Sequence, residues 1–254
     1  MIPVALTIAG SDPSGGAGLQ ADLKTFHRFG VYGESVVTLI TAQNSVGVAR
    51  VETLAPDLVL EQLDALLSDM PPGAAKTGAM GNARVVHAIA AAAERFTFPL
   101  VVDPVMMPKH GARLIEAASL GRLIARAFLL TPNLPEAAEL VGFPVTDRDS
   151  MGRAAEKLAR MGARNVLVKG GHLAGEPMDL LYLEGGGVRE YSAPRIDTRH
   201  THGTGCTYSA AITAELAKGT DLMEAVALAK AFVTEAIRTN PGLGRGSGPV
   251  NHFA

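Results

Sequence analysis

Cysteine is almost absent from this sequence, since the 254 residues contain only Cys206. A single cysteine excludes an intramolecular disulfide and a zinc site built from several cysteines, and it suits a reducing compartment. No apolar run approaches the length of a membrane span, and the first residues lack the basic segment of a signal peptide. We therefore expect a cytoplasmic protein with no membrane association.

A strong charge of either sign is also absent, because 23 lysines and arginines face 25 aspartates and glutamates. The formal net charge of -2 gives no electrostatic reason to expect nucleic acid or an anionic membrane as partner. Hydrophobic residues make up 47% and charged residues 19%, which is typical of a globular protein. The length predicts a single domain over residues 1–254.

Strands and helices alternate along most of the chain, which predicts a three-layer α/β fold with a mostly parallel sheet and helices on both faces. A hairpin is predicted around the three glycines at 185–187. Predicted strands cover 4–9, 34–41, 48–54, 74–77, 100–104, 128–131, 165–168, 178–183 and 188–192, and predicted helices cover 19–29, 57–69, 82–95, 114–128, 150–161, 207–217 and 222–239.

A glycine turn stands directly before one of these helices. Gly203 and Gly205, on either side of Thr204, let backbone N–H groups approach a ligand, and the positive end of the helix that follows favours an anion. Cys206 lies at the same helix start, where the helix dipole lowers a thiol pKa and favours partial thiolate character. The alternative is an ordinary turn with a small buried cysteine, and the stretch alone does not decide between them.

Several polar residues follow predicted strands, so we expect them to meet at one edge of the sheet. Asp103 follows a buried strand, and its carboxylate suits metal- or phosphate-linked chemistry. Asn133 and Glu136 can hold a hydrated Mg²⁺ through waters, although helix capping explains the same pair. Lys169, before two glycines, suits a phosphate contact, and Asp12 belongs to the same group.

The first glycine-rich loop, residues 11–18, follows a strand and precedes a helix. It lacks the lysine and Ser/Thr of a Walker A motif, and it carries no dinucleotide fingerprint. We expect it to shape a small-molecule pocket. Gln43 and Asn44 offer the donor and acceptor that an aminopyrimidine edge requires, but a turn role is favoured for Asn44. Loops 11–18 and 108–113 are the candidate lids.

Taken together, these motifs resemble hydroxymethylpyrimidine/phosphomethylpyrimidine kinase, the thiamin-pathway branch of the ribokinase-like superfamily. The resemblance covers nearly the whole chain, with the motifs in the family's order. The stretches that carry it are Leu6–Asp12, Gly15–Phe26, Thr41–Asn44, Val102–Met106, Thr131–Glu136, Val168–His172 and Thr201–Thr207.

The resemblance implies an αβα sandwich in which ATP, with Mg²⁺, phosphorylates 4-amino-5-hydroxymethyl-2-methylpyrimidine and then its monophosphate. It places Gln43 and Asp22 on the pyrimidine, with Gly10, Met80 and Val105 lining the pocket. It also makes residues 203–206 an anion hole, with Cys206 where most of the superfamily has an aspartate base. By the same resemblance Asn133 and Glu136 are linked to Mg²⁺, Lys169 contacts phosphate, and a homodimer is left open.

Two departures from the family pattern concern individual contacts. Ala79 stands where many relatives carry methionine, and the stretch 107–111 differs from the usual lysine-serine-glycine loop. The rival functions are a pyridoxal or pyridoxine kinase of the same branch and, from another class, a pyrimidine-binding protein without catalysis. Gln43 and Met80 favour the pyrimidine over pyridoxal, and Cys206, Asp103 and Glu136 together argue against loss of catalysis.

Overall fold

A nine-stranded sheet forms the centre of the described part of the chain, which in this computed structural model comprises residues 2–107, 113–173 and 175–254. The strands lie in the spatial order β3-β2-β1-β4-β5-β6-β7-β8-β9. Their bounds are β1 Val4–Ser11, β2 Tyr32–Gln43, β3 Val48–Thr53, β4 Ala74–Thr77, β5 Leu100–Val102, β6 Leu129–Leu130, β7 Asn165–Val168, β8 Met178–Tyr182 and β9 Val188–Ser192.

Helices cover both faces of the sheet, as the alternating sequence pattern predicts. One face packs against α2 to α6 and the other against α1, α7 and α8. The helices are α1 Gly18–Arg28, α2 Pro56–Asp69, α3 Ala83–Ala92, α4 Gly121–Ile124, α5 Leu134–Val141, α6 Arg148–Arg160, α7 Thr204–Ala217 and α8 Leu222–Arg238. The predicted three-layer αβα architecture is therefore confirmed.

Strand direction explains where functional groups collect. The strands from β2 through β1, β4, β5 and β6 to β7 pair in parallel, whereas β3, β8 and β9 join as antiparallel edges. The central strands are buried on both faces, which matches their continuous apolar composition. Their carboxyl ends consequently meet along one edge of the sheet, where open α/β folds bind ligands.

Two predicted helices differ from the structure. The helix predicted over 114–128 is reduced to a short 3₁₀ turn at Ala117–Leu120 and to α4. The N–H groups of Leu114 and Ile115 bond instead to the carbonyl of Met106, at 2.9 and 3.4 Å, which holds this stretch extended. Helix α7 begins at Thr204 rather than at the predicted Thr207, so Cys206 lies inside its first turn.

Among the described residues, every helix is too short or too polar to cross a bilayer. Of the candidate lid at 108–113, residues 108–112 lie outside the described residues, and only Arg113 can be placed.

Candidate active site

A cleft of about 540 Å³ opens at the carboxyl ends of the parallel strands. Most of the site residues predicted from the sequence line this cleft, namely Gly10, Gln43, Asp103, Val105, Asn133, Glu136, Lys169, Gly203, Thr204, Gly205 and Cys206. Asp12 lines the cleft as well. The expected convergence on one edge of the sheet is therefore observed, and the chemical roles stay predictions.

The glycine turn at the start of α7 forms one wall. Gly203 caps the helix with a φ of +80°, and a Cβ there would lie 1.8 Å from the carbonyl oxygen of Gly16. The first N–H to bond inside this helix is that of Thr207, to Gly203 at 2.8 Å. The N–H groups of Gly205 and Cys206 precede it and, by helix geometry, are directed out of the helix end. This geometry suits an anion.

Two charged residues meet beside this turn, from strands β5 and β7 that lie on either side of β6. Lys169, after β7, donates to the Asp103 carboxylate, after β5, over 2.9 Å. Thr131 and Ser209 also donate to Asp103, at 3.2 and 3.4 Å. A Cβ on Gly205 would stand 3.4 Å from the ammonium of Lys169, so the glycine keeps the space in front of that charge open.

Asn133 and Glu136 form the capping box that the sequence allowed as an alternative. The Asn133 side chain accepts from the Glu136 N–H at 2.9 Å, and the Glu136 carboxylate accepts from the Asn133 N–H at 2.8 Å. Burial, partly offset by the positive charge of Lys169 and reinforced by the negative charge of Asp103, raises the pKa of Glu136 to about 7. Capping therefore does not stop this carboxyl group from titrating near neutral pH.

The same wall suits a hydrated Mg²⁺. In the described part of the chain, no group of three His, Cys, Asp or Glu side chains is close enough to hold a metal ion directly. Asp103, Asn133 and Glu136 nevertheless present carboxylate and amide oxygens to one cleft, and Mg²⁺ keeps several waters and takes few protein ligands. A cation there would also offset the negative charge that accompanies ionisation of Glu136.

The predicted thiolate character of Cys206 is not supported by the structure. Burial raises the pKa of this thiol to about 11, and the nearby carboxylates of Asp22 and Asp103 act in the same direction. The positive charge of Lys76 and a backbone hydrogen bond from Gly18 oppose that rise without cancelling it. Desolvation therefore outweighs the helix dipole on which the expectation rested.

Lys76 is a residue of this cleft that sequence reasoning missed. It lines the cleft from the end of β4, is completely buried, and pairs with Asp22 of α1 over 2.8 Å. Burial lowers the pKa of Lys76, but the charges of Asp22, Cys206 and Asp103 together raise it above its usual value. A lysine inside a short apolar strand was the available signal, but its partner is visible only in three dimensions.

Three predicted pyrimidine contacts have different positions. Gln43 lies at the end of β2 on the cleft wall, whereas Met80 packs into the hydrophobic core with 1% exposure. Asp22 lies behind Lys76, and neither Asp22 nor Met80 is among the cleft-lining residues. The side chain of Asn44 accepts from Val46 at 2.9 Å, so the favoured turn role is confirmed. The pyrimidine-binding roles stay predictions.

The remaining two pyrimidine-pocket residues are Gly10 and Val105. A Cβ on Gly10 would lie 2.6 Å from a methyl carbon of Leu39, so the glycine makes room for this side chain in the wall. Val105 is partly buried, and its N–H bonds to the Asp103 carbonyl at 2.9 Å. The cleft therefore combines an apolar part around Leu39 and Val105 with the charged wall at Lys169. It can accommodate a small ring next to a phosphate chain.

The sequence profile of a family described as Phosphomethylpyrimidine kinase matches residues 12–251. The chain is 48% identical to the hydroxymethylpyrimidine/phosphomethylpyrimidine kinase of Rhizobium meliloti, over 100% of this chain and 98% of that protein. It is 49% identical to the thiamine biosynthesis bifunctional protein ThiED of Geobacter sulfurreducens over 98% of this chain, and it spans 52% of that longer protein.

A solved structure is similar over the whole fold. The pyridoxal kinase of Bacillus subtilis, determined as an ADP complex, superposes with a TM-score of 0.91 and is 39% identical. The superposition covers 100% of this chain and 98% of that chain.

Proposed function

The chain belongs to the phosphomethylpyrimidine kinase family, and from that premise we propose that it phosphorylates 4-amino-5-hydroxymethyl-2-methylpyrimidine with ATP. The monophosphate is then phosphorylated to the diphosphate, in thiamin biosynthesis. The observation that carries the proposal is that one cleft holds the α7 helix start, Lys169 and Cys206. We also propose that residues 1–254 act as one kinase domain and, from the single cysteine, that it works in the cytoplasm.

Phosphoryl transfer requires in-line positioning and positive charge around the moving group. In the proposed reaction the substrate hydroxyl oxygen forms a bond to the γ-phosphorus of ATP, and the bond from that phosphorus to the ADP oxygen breaks. Lys169 and the N–H groups of Gly205 and Cys206 at the helix start offer positive charge and donors at one place. The helix end therefore suits the charge that develops on the phosphoryl oxygens.

The hydroxyl proton also needs an acceptor, and Cys206 is the proposed base. Its thiolate takes the proton and becomes the thiol, which later returns the proton to solvent. Because the pKa of this thiol is raised to about 11, its deprotonation at neutral pH is unfavourable. Neighbouring groups that stabilise the thiolate are therefore required for the base role.

Mg²⁺ is the proposed cation for Asp103, Asn133 and Glu136. When bound, it supplies positive charge that neutralises the phosphate oxygens of the nucleotide. The residues of this chain orient that charge: Asp103 is itself fixed by Lys169, and Glu136 is fixed by its capping bond to Asn133.

Pyridoxal is the second candidate substrate, because a pyridoxal kinase superposes on the whole chain. Both substrates are six-membered nitrogen rings that carry a hydroxymethyl group, so they present the same reacting oxygen. Their ring edges differ in donors and acceptors, and the Gln43 side chain can supply either.

ADP release tests the proposal when hydroxymethylpyrimidine, its monophosphate and pyridoxal are each offered with ATP and Mg²⁺. The proposed function predicts kcat/KM values for the two pyrimidines well above that for pyridoxal. A preference for pyridoxal would transfer the function to vitamin B6 salvage.

A further inference from the structure

A fully buried ion pair lies beneath the α7 helix start. The Lys76 ammonium donates to the Asp22 carboxylate over 2.8 Å, and both side chains are 0% exposed. Thr7 of β1 donates to the same carboxylate oxygen at 2.6 Å. Three elements, β1, β4 and α1, therefore fix the pair in one position.

Such a pair contributes little to stability by itself, because desolvating two charges offsets most of their attraction. Its bonding is also incomplete, since the second oxygen of Asp22 is buried and has no partner among the described residues. Well-packed apolar side chains would fill the same volume without this penalty. The position of the charge at the cleft is therefore the feature that needs an explanation.

Geometry places the positive end of this pair at the cleft. Lys76 and Cys206 both line the cleft, and a Cβ on Gly78 would stand 3.7 Å from the Lys76 ammonium. Helix α7, which begins with the residues of the glycine turn, packs against both β4 and α1. Among the described residues the Lys76 ammonium has one ion-pair partner, Asp22, which uses one of its three N–H donors.

We propose that Lys76 is a positioning residue that stabilises the Cys206 thiolate, and that Asp22 holds Lys76 in place while limiting its effect. Asp22 thus has a role beneath the substrate pocket. The inference rests on the proposed function only for what the thiolate deprotonates: the substrate hydroxyl loses its proton to the Cys206 sulfur as its oxygen bonds to phosphorus.

The charges that face Cys206 come from four elements. Burial is the main cause of the raised thiol pKa. Lys76 on β4 lowers that pKa, whereas Asp22 on α1 and Asp103 after β5 raise it. Lys169 after β7 also interacts with the thiol, since Cys206 contributes to the raised pKa of that lysine. Lys76 therefore favours the thiolate, whereas Asp22 and Asp103 oppose it.

Alkylation by neutral iodoacetamide without substrate tests this arrangement, because Cys206 is the only cysteine and the mass shift reports one site. Removing the charge in Lys76→Met should raise the thiol pKa by about one unit. The thiolate fraction then falls about tenfold, and the greater nucleophilicity of a more basic thiolate recovers about threefold. Alkylation should therefore slow about threefold at fixed pH, between 8 and 9.

Asp22→Asn should change the alkylation rate in the opposite direction, to about twofold above that of the native chain. The double variant, which buries no unpaired charge, should be slower than Asp22→Asn by about threefold, because the two differ only in Lys76. The double variant should therefore also be about 1.5-fold slower than the native chain, and that comparison leaves no unpaired charge buried. Lys157→Met, on α6 at the other face of the sheet, is the matched control and should leave the rate unchanged.

An alkylation rate in the double variant equal to or above that of the native chain would overturn the inference. The proposed function can fail separately. If the alkylation rates follow the predicted order but no acceptor is phosphorylated, the proposed function is contradicted and the effect of Lys76 on the thiol stands. Turnover measured on the same variants should fall in kcat for the double variant, with the KM for ATP unchanged.

Discussion

His202 and Asp12 join the two glycine loops of the cleft, because the His202 ring nitrogen Nε2 lies 2.9 Å from the Asp12 carboxylate. The same carboxylate accepts from the N–H groups of Ser14 and Ala17, each at 2.8 Å. The Asp12 side chain therefore connects the loop at 11–18 to the turn before α7, although Asp12 and His202 are 190 positions apart in sequence.

Asp12→Asn should lower the free energy of unfolding. Burial raises the pKa of Asp12, but hydrogen bonds from His202 and Ser14 lower it further, to about 2. A depressed carboxyl pKa contributes stability that is complete above 3.8 and is lost as the pH falls through about 2. We expect a loss of about 2 kcal/mol at pH 7, measured by urea unfolding, that disappears towards pH 2.

The control for this prediction is Asp64→Asn, since Asp64 forms an exposed ion pair with Arg95. Its effect should stay below about 0.5 kcal/mol at every pH. Equal losses in the two variants would contradict the role given to Asp12.

Gly203→Ala and Gly205→Ala should fail in different ways. A methyl group on Gly203 would collide with the Gly16 carbonyl oxygen at 1.8 Å. Gly203→Ala should therefore lower the free energy of unfolding by more than about 2 kcal/mol, which is seen as a lower melting temperature. A methyl group on Gly205 has room, 3.4 Å from the Lys169 ammonium, so the fold should persist while the KM for ATP rises. Equal melting temperatures for both variants would show that the Gly203 turn tolerates a side chain.

Turnover should depend on the Cys206 proton. Cys206→Ala should lower kcat by about 10²- to 10⁴-fold with the melting temperature unchanged, because a general base contributes that factor. With a thiol pKa of about 11, log kcat should rise with pH between 7.5 and 9.5. Cys206→Asp should remove the rise, since an aspartate is already ionised there. An unchanged kcat in Cys206→Ala would rule out the base role.

Glu136 should couple Mg²⁺ dependence to pH. Because its pKa is raised to about 7, protonation below pH 7 should weaken the apparent Mg²⁺ affinity, and this pH dependence should vanish in Glu136→Gln. Glu139→Gln is the control on the same helix, because Glu139 faces Arg113 at the surface. Magnesium titrations of activity at pH 6 and 8 make the comparison. Identical titrations for the native chain and Glu136→Gln would contradict the metal assignment.

The sequence predicted the parts of the site that depend on local order. Strand β7 and the residue that follows it were predicted from apolar pattern and glycines, and Asp103 was placed correctly at a strand end. Parallel strands bring their carboxyl ends together, so the meeting of Asp103 and Lys169 follows from topology. Residues that follow the parallel strands can therefore be assigned to the cleft without knowing how the side chains pack.

Other features depend on tertiary contacts that no local pattern reveals. The pairing of Lys76 with Asp22 joins residues 54 positions apart, and the contact of Thr207 with His252 at 3.2 Å joins the helix start to the chain end. The thiol pKa of Cys206 was predicted in the wrong direction, because desolvation is set by the surrounding fold while the dipole is visible in sequence. Homodimer formation stays a prediction.

Product masses from the purified protein with ATP and Mg²⁺ test the central claim most directly. Hydroxymethylpyrimidine, its monophosphate and pyridoxal are offered in separate reactions, with Cys206→Ala as the parallel sample. The account predicts pyrimidine mono- and diphosphate from the native chain and strongly reduced amounts from the variant. No phosphorylated product from any acceptor, with ligand binding intact, would contradict the claim that this cleft transfers phosphate.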